Sequence, residues 1–181
     1  MGGNCDWAAT MLISTEADFD SIYSPRLAVD TLSWPTTIWA AWHGNGNVLS
    51  SGTDHDVFAR TITGTTTGIL NLLSDDINDN ASQFASITVD GNTNVHVYWQ
   101  ESGDVNSCGT DYDIFGRTWN GGSWGAITSV SDPDANTFNT EISRDADVVS
   151  NQSIRYIVWD DASDYDGDGI ADSDIMYEIL R

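Results

Sequence analysis

The chain has 181 residues and carries 28 acidic side chains against six arginines and no lysine, a formal net charge of −22 at pH 7. Such a field argues against nucleic acid and anionic membrane as partners. Its hydrophobic share, 40%, is enough for one folded domain with a core, and no apolar run reaches the roughly 18 residues of a membrane-spanning helix.

Of the acids, 24 are Asp and four are Glu, which favours turns and hard-cation ligation over helices. With 16 Gly, 8 Trp and many Thr, Ile and Val, the balance predicts an all-β chain of short strands. The start, MGGNCDWAAT, lacks the basic and apolar stretches of a signal peptide.

In chain order, the first predicted element is a strand over 7–15, WAATMLIST. A period close to 60 then sets in. RLAVD (26–30), SITVD (86–90) and ADVVS (146–150) form a first strand, A. IWAAW ending at Trp42, VHVYW ending at Trp99 and RYIVW ending at Trp159 form a second, B, alternating and rich in β-branched and aromatic residues. DHDVFAR (54–60), DYDIFGR (111–117) and DSDIMYE (172–178) form a third, C, each opening with Asp-x-Asp. GILNLLSDD (68–76) and WGAITSVSD (124–132) form a fourth, D, ending at a Ser-Asp turn.

Four antiparallel strands per repeat is the pattern of a β-propeller blade. The phrases PRLAVD, VHVYW and DYDIFGRTWNGGSWGAITSVSD resemble the repeats of sialidase-like propellers of the Asp-box type, over nearly the whole chain. The expected organisation is a single domain: an orphan outer strand at 1–15, repeat 1 at 16–76, repeat 2 at 77–132, and repeat 3 at 133–181, whose blade lacks its outer strand. WAATMLIST aligns with WGAITSVSD, placing Trp7 on Trp124 and Ser14 on Ser131. The order D-ABCD-ABCD-ABC predicts that the orphan strand completes the open blade of another copy, closing a ring or propagating a filament. A cut fragment of a longer propeller is the alternative.

DYDGDGIADSD, at 164–174, holds five aspartates in eleven positions. Asp164, Asp166, Asp168 and Asp172 fall at positions 1, 3, 5 and 9 of a calcium loop, with Gly169 at the sharp turn and the Ile170 carbonyl at position 7. The loop resembles those of thrombospondin type 3 repeats and dockerins, and Asp174, Asp161 or a carbonyl would complete the shell. Calcium is the expected ion, since Cys is absent nearby and His43, His55 and His96 are far apart in sequence. Asp54-x-Asp56 and Asp111-x-Asp113 occupy the same connection in the other repeats, as reduced calcium sites or as turn aspartates.

A sialidase-like glycosidase needs an arginine cluster and a nucleophile. Arg60 and Arg117 sit at equivalent repeat positions, which reads as structural, and Arg26, Arg144 and Arg155 do not recur as a set. Trp42, Trp99 and Trp159 recur at one strand position and are expected in the core, whereas Trp34 and Trp119 are expected in exposed contacts. Cys5 and Cys108 form one bridge or two free thiols. A calcium loop and the sequons Asn80-Ala81-Ser82 and Asn151-Gln152-Ser153 lean toward an extracellular setting. The expected function is an extracellular, calcium-stabilised, non-catalytic structural protein that self-assembles by strand complementation. Behind it stand a carbohydrate- or protein-binding propeller fragment and a sialidase-like glycosidase.

Overall fold

A computed structural model describes residues 10–16, 18–74, 80–109, 111–131, 142–162 and 173–181. Three antiparallel sheets follow one another along the chain. Sheet I comprises β1 (Ser21–Asp30), β2 (Thr37–Asn45), β3 (His55–Thr63) and two short outer strands, β4 (Thr66–Thr67) and β5 (Asn71–Leu72), both paired with β3. Sheet II comprises β6 (Ser82–Val89), β7 (Val95–Glu101), β8 (Asp113–Trp119) and β9 (Thr128–Ser129). Sheet III comprises β10 (Ser143–Asn151), β11 (Ile154–Asp161) and β12 (Asp174–Leu180). The all-β, repeat-built expectation is met, including a third sheet of three strands.

Strand alternation gives each sheet two apolar faces, and each must be covered. Trp39, Ala41, Val57 and Ala59 of sheet I meet Ala85, Ile87, Val97, Trp99 and Phe115 of sheet II in one core. Tyr98 and Ile114, on the opposite face of sheet II, meet Ala146, Val148, Ile157 and Trp159 of sheet III in the next. Trp42 repeats the position of Trp99 and Trp159, but its neighbours are Val48, Phe58 and, partly buried, Ile13 and Phe19. All three tryptophans are core residues, as the recurrence predicted; each buries on the order of 200 Å2.

The outer strands are shorter than 68–76 and 124–132. Ser74 and Ser131 anchor them at one end. Ser74 Oγ accepts from the Val57 N–H and donates to Asp56, and Ser131 Oγ accepts from the Ile114 N–H and donates to Asp113. This pairing aligns Ser74 with Ser131, so the two D segments align one residue away from the sequence phrasing, Gly68 on Gly125. Gly68 and Gly125 donate to the equivalent carbonyls of Thr61 and Thr118, in agreement. The second aspartate of Asp-x-Asp in sheets I and II thus ties the outer strand down through a serine hydroxyl.

The predicted strand over 7–15 is corrected where it is described: Thr10–Thr15 is not a strand, and residues 7–9 lie outside the described residues. The segment lies against β3 of its own chain. Arg60 Nη1 donates to the Ile13 carbonyl at 2.5 Å and the Thr15 hydroxyl at 3.2 Å, and its Nη2 pairs with Glu16.

Candidate functional site

The three first strands of the sheets, β1, β6 and β10, share one irregularity. Pairing with the next strand slips between Tyr23 and Arg26, between Gln83 and Ser86, and between Arg144 and Asp147. In each slip one residue is left-handed: Ser24 (φ 50°), Phe84 (φ 54°) and Asp145 (φ 54°). None is glycine, so each bulge holds a conformation that L-residues seldom adopt. These bulges align DVVSN (147–151), rather than ADVVS, with RLAVD (26–30) and SITVD (86–90).

Neighbouring sheets hold the bulges in place. Phe84 donates its N–H to His43 Nδ1 of sheet I at 3.2 Å, and Asp145 donates its N–H to Gln100 Oε1 of sheet II at 3.3 Å. His43 and Gln100 both follow the core tryptophan of their strand, so the cap recurs along with the bulge. A pocket of about 320 Å3 opens beside two of them, lined by Arg26, Phe84, Ala85, Asp145, Ala146 and Asp147.

Around this pocket the fold gathers aromatic and imidazole rings. Tyr23 stacks on His43 with centroids 5.5 Å apart and 22° between planes. Tyr23 and His55 are also 5.5 Å apart, as are His43 and His55, and Phe84 reaches His43 at 5.3 Å. His43 and His55, separated in the sequence, are thus brought together in space. The β2–β3 register explains it: Asn45 faces His55 and His43 faces Val57, which sets the two imidazoles diagonally on one face. His96 remains elsewhere. That register is not written in either segment alone, and reading it would have found the pair.

Burial, and secondarily the His55 charge, lower the His43 pKa from 6.5 to about 4. At neutral pH the ring is uncharged. Because its Nδ1 accepts the Phe84 amide, the proton sits on Nε2, making His43 a hydrogen-bond donor rather than a base. Tyr23 is exposed and Arg26 lies three residues further along β1, beyond the bulge. Arg26 and Phe84 line the opening together with Asp145 and Asp147, and Phe84 connects it to the adjoining His43, Tyr23 and His55 rings, an arrangement of polar and aromatic groups suited to a sugar ring.

A second polar network lies between sheets II and III. His96 Nε2 faces Asp90 at 3.3 Å, and its Nδ1 lies 2.9 Å from Thr118 Oγ1 and 3.2 Å from Arg155 Nη1. Burial first, and then Arg155, lower the His96 pKa. Asp90 also caps the turn at Asn92 and Asn94. The network ties sheet II to sheet III through Arg155.

Of the predicted calcium ligands, Asp164, Asp166, Asp168, Ile170 and Asp172 lie outside the described residues. Asp174 opens β12 opposite Asp161. Asp161 itself is buried and accepts from Ser143 and Trp159. Among the described residues no three His, Cys, Asp or Glu are grouped to hold a metal. Arg60 and Arg117 are structural: Arg117 donates to the Gly125 and Leu73 carbonyls. Trp34 is 94% exposed, whereas Trp119, expected at the surface, packs against Trp39 and Trp124. Cys108 is buried in the core between sheets I and II, and Cys5 lies outside the described residues.

No family model matches the chain, and no curated protein does. Among solved structures it is similar to a PL25 polysaccharide lyase, an ulvan lyase bound to GlcA(1-4)Rha3S. The TM-score is 0.54 and the identity 12%, over 95% of this chain and 43% of that one. A second PL25 ulvan lyase structure has a TM-score of 0.45 and 13% identity, over 85% of this chain and 43% of that one. At such identity the likeness is one of fold, and this chain spans less than half the length of those proteins.

Proposed function

We propose that the pocket beside the β6 and β10 bulges binds an acidic polysaccharide and that the adjoining rings support its cleavage by β-elimination. The observation carrying this reading is the convergence of Tyr23, His43, His55 and Phe84 beside a pocket lined by Arg26. A fold shared with a polysaccharide lyase supports it. In the proposed reaction Arg26 pairs with a uronate carboxylate, which acidifies the neighbouring C5 proton. Tyr23 or His55 takes that proton. The electron pair forms the C4–C5 double bond as the C4–O bond breaks, and the departing oxygen is protonated by the other of the two rings. His43, held neutral with its proton on Nε2, donates to the substrate, and Phe84 offers its ring to a sugar face. Calcium at the 164–174 loop remains part of the proposal as a stabiliser of the fold, outside the chemistry.

Uronate-containing polysaccharides incubated with the protein should gain the ultraviolet absorbance of the new double bond, and Arg26→Ala should slow that gain by about 100-fold or more. If no uronate polymer binds in affinity electrophoresis and no absorbance develops, the reading is wrong.

A further inference from the structure

We infer that the open side of sheet III is docked by sheet I of a second copy of this chain, with Ser14 of that copy latching Asp174. This stands independently of the polysaccharide reading, because it rests on interfaces the chain already makes twice.

The positions in question are buried wherever a neighbouring sheet exists. On the face that sheet I turns to sheet II, Val57 and Ala59 are fully buried, and on sheet II the equivalent Ile114 is too. At the same positions in sheet III, Ile175 is 77% and Tyr177 71% exposed, with Tyr156, Val158, Val149 and Ile179 exposed around them. The complementary loss is on sheet I. Its Leu27 is 63% exposed, while the equivalent Ile87 and Val148, covered by the preceding sheet, are 7% and 5%. Both halves of one missing interface are therefore on a single chain, which is the condition for head-to-tail association. Two chains of three sheets give six, inside the range of closed propellers.

Residues 10–16 fix the register of that docking. Arg117 of β8 donates to the Leu73 carbonyl, from the outer strand of the preceding sheet, at 3.0 Å. Arg60 stands at the same place in β3, and its Nη1 donates to the Ile13 carbonyl. Ile13 is thus to sheet I what Leu73 is to sheet II: the outer-strand residue of the sheet before. Ser14 then corresponds to Ser74, and in sheets I and II that serine binds the aspartate that directly precedes the first core residue of the third strand, Asp56 and Asp113. The equivalent aspartate in sheet III is Asp174, on the outer edge of β12. Docking a second copy lays Leu12 and Ile13 along Met176 and Ile175, and it brings the Ser14 hydroxyl onto Asp174 and the Ile175 N–H. Asp160, which follows Trp159 as His43 follows Trp42, would then cap the Ser24 bulge of the second copy.

Sedimentation of the full chain should give a dimer, and Tyr177→Asp should give a folded monomer by circular dichroism. In a Cys5→Ser background, Ser14→Cys with Asp174→Cys should yield a disulfide-linked dimer on oxidation, whereas either substitution alone should not. A protein that stays monomeric across the accessible concentration range overturns the inference, and so does a disulfide that joins the two introduced thiols within one chain.

Discussion

Ser74 Oγ lies 2.8 Å from Asp56 Oδ1 and 3.1 Å from the Val57 amide, while Ser131 makes the same two bonds with Asp113 and Ile114. One hydroxyl satisfies a buried carboxylate oxygen and a buried backbone donor at once. Ser74→Ala should cost about 1–3 kcal/mol, since both groups lose that partner away from water. Ser131→Ala should cost a similar amount. Urea unfolding at constant m-value is the measurement, and a Ser74→Ala midpoint equal to that of the parent would refute the latch.

Two buried groups pull the pH dependence of stability in opposite directions. Burial pushes the Glu101 carboxyl from 4.5 up to about 7, so the stability attached to it is full below pH 4.5 and is lost as pH rises through 7. His43, lowered from 6.5 to about 4, contributes stability that is full above pH 6.5 and is lost as pH falls through 4. Between pH 4.5 and 6.5 the slopes oppose each other. Glu101→Gln should therefore leave a protein whose stability climbs with pH over that window. His43→Gln should give one whose stability falls by as much as ~3 kcal/mol between pH 4.5 and 7. Glutamine suits position 43 because Gln100 makes the same bulge cap in the next sheet. Parallel pH profiles for the two variants would contradict this assignment.

For the polysaccharide reading, the net charge of −22 makes a distinctive demand. An anionic polymer is repelled at long range, and a Debye length of about 10 Å at 0.1 M salt screens that repulsion while sparing the close contact at Arg26. Moderate salt should raise the apparent on-rate for a uronate polymer and leave a neutral glycan unaffected. Arg26→Ala should reduce kcat/KM on the uronate polymer by about 100-fold or more, with Arg26→Lys recovering part of it. Equal effects of salt on charged and neutral polymers would remove the uronate from the proposal.

Calcium is tested apart from activity. Binding to the folded state alone raises stability by about 2.7 kcal/mol at a hundredfold excess over Kd, so a chelator should lower the Tm. Asp166→Ala should remove most of that response, and Asp54→Ala little of it. An unchanged Tm on chelation would leave the 164–174 carboxylates without their expected ion.

The repeat, its strands and its core tryptophans are legible in the sequence because strand alternation and a period close to 60 are local, additive signals. Trp42, Trp99 and Trp159 announce the core by recurrence alone. The site is illegible for the opposite reason. His43 and His55 meet through a hairpin register, and Phe84 joins them from the next sheet, so no single window holds two of the groups in their spatial relation. Arg26 does not recur, so comparing the repeats gives it no weight. Trp119 misleads in a related way: it lacks a counterpart, but its partner Trp124 lies across a turn that pairs the two residues.

The left-handed bulges at Ser24, Phe84 and Asp145 have one further consequence. A hydroxyl, a phenyl ring and a carboxylate occupy one backbone geometry, which is maintained at Phe84 and Asp145 by a cap from the neighbouring sheet rather than by their own side chains. Identity at these positions is thereby uncoupled from folding. Exchanging residues among the three positions should therefore leave the scaffold alone, and at Phe84 and Asp145 it would remake the lining of the opening between them.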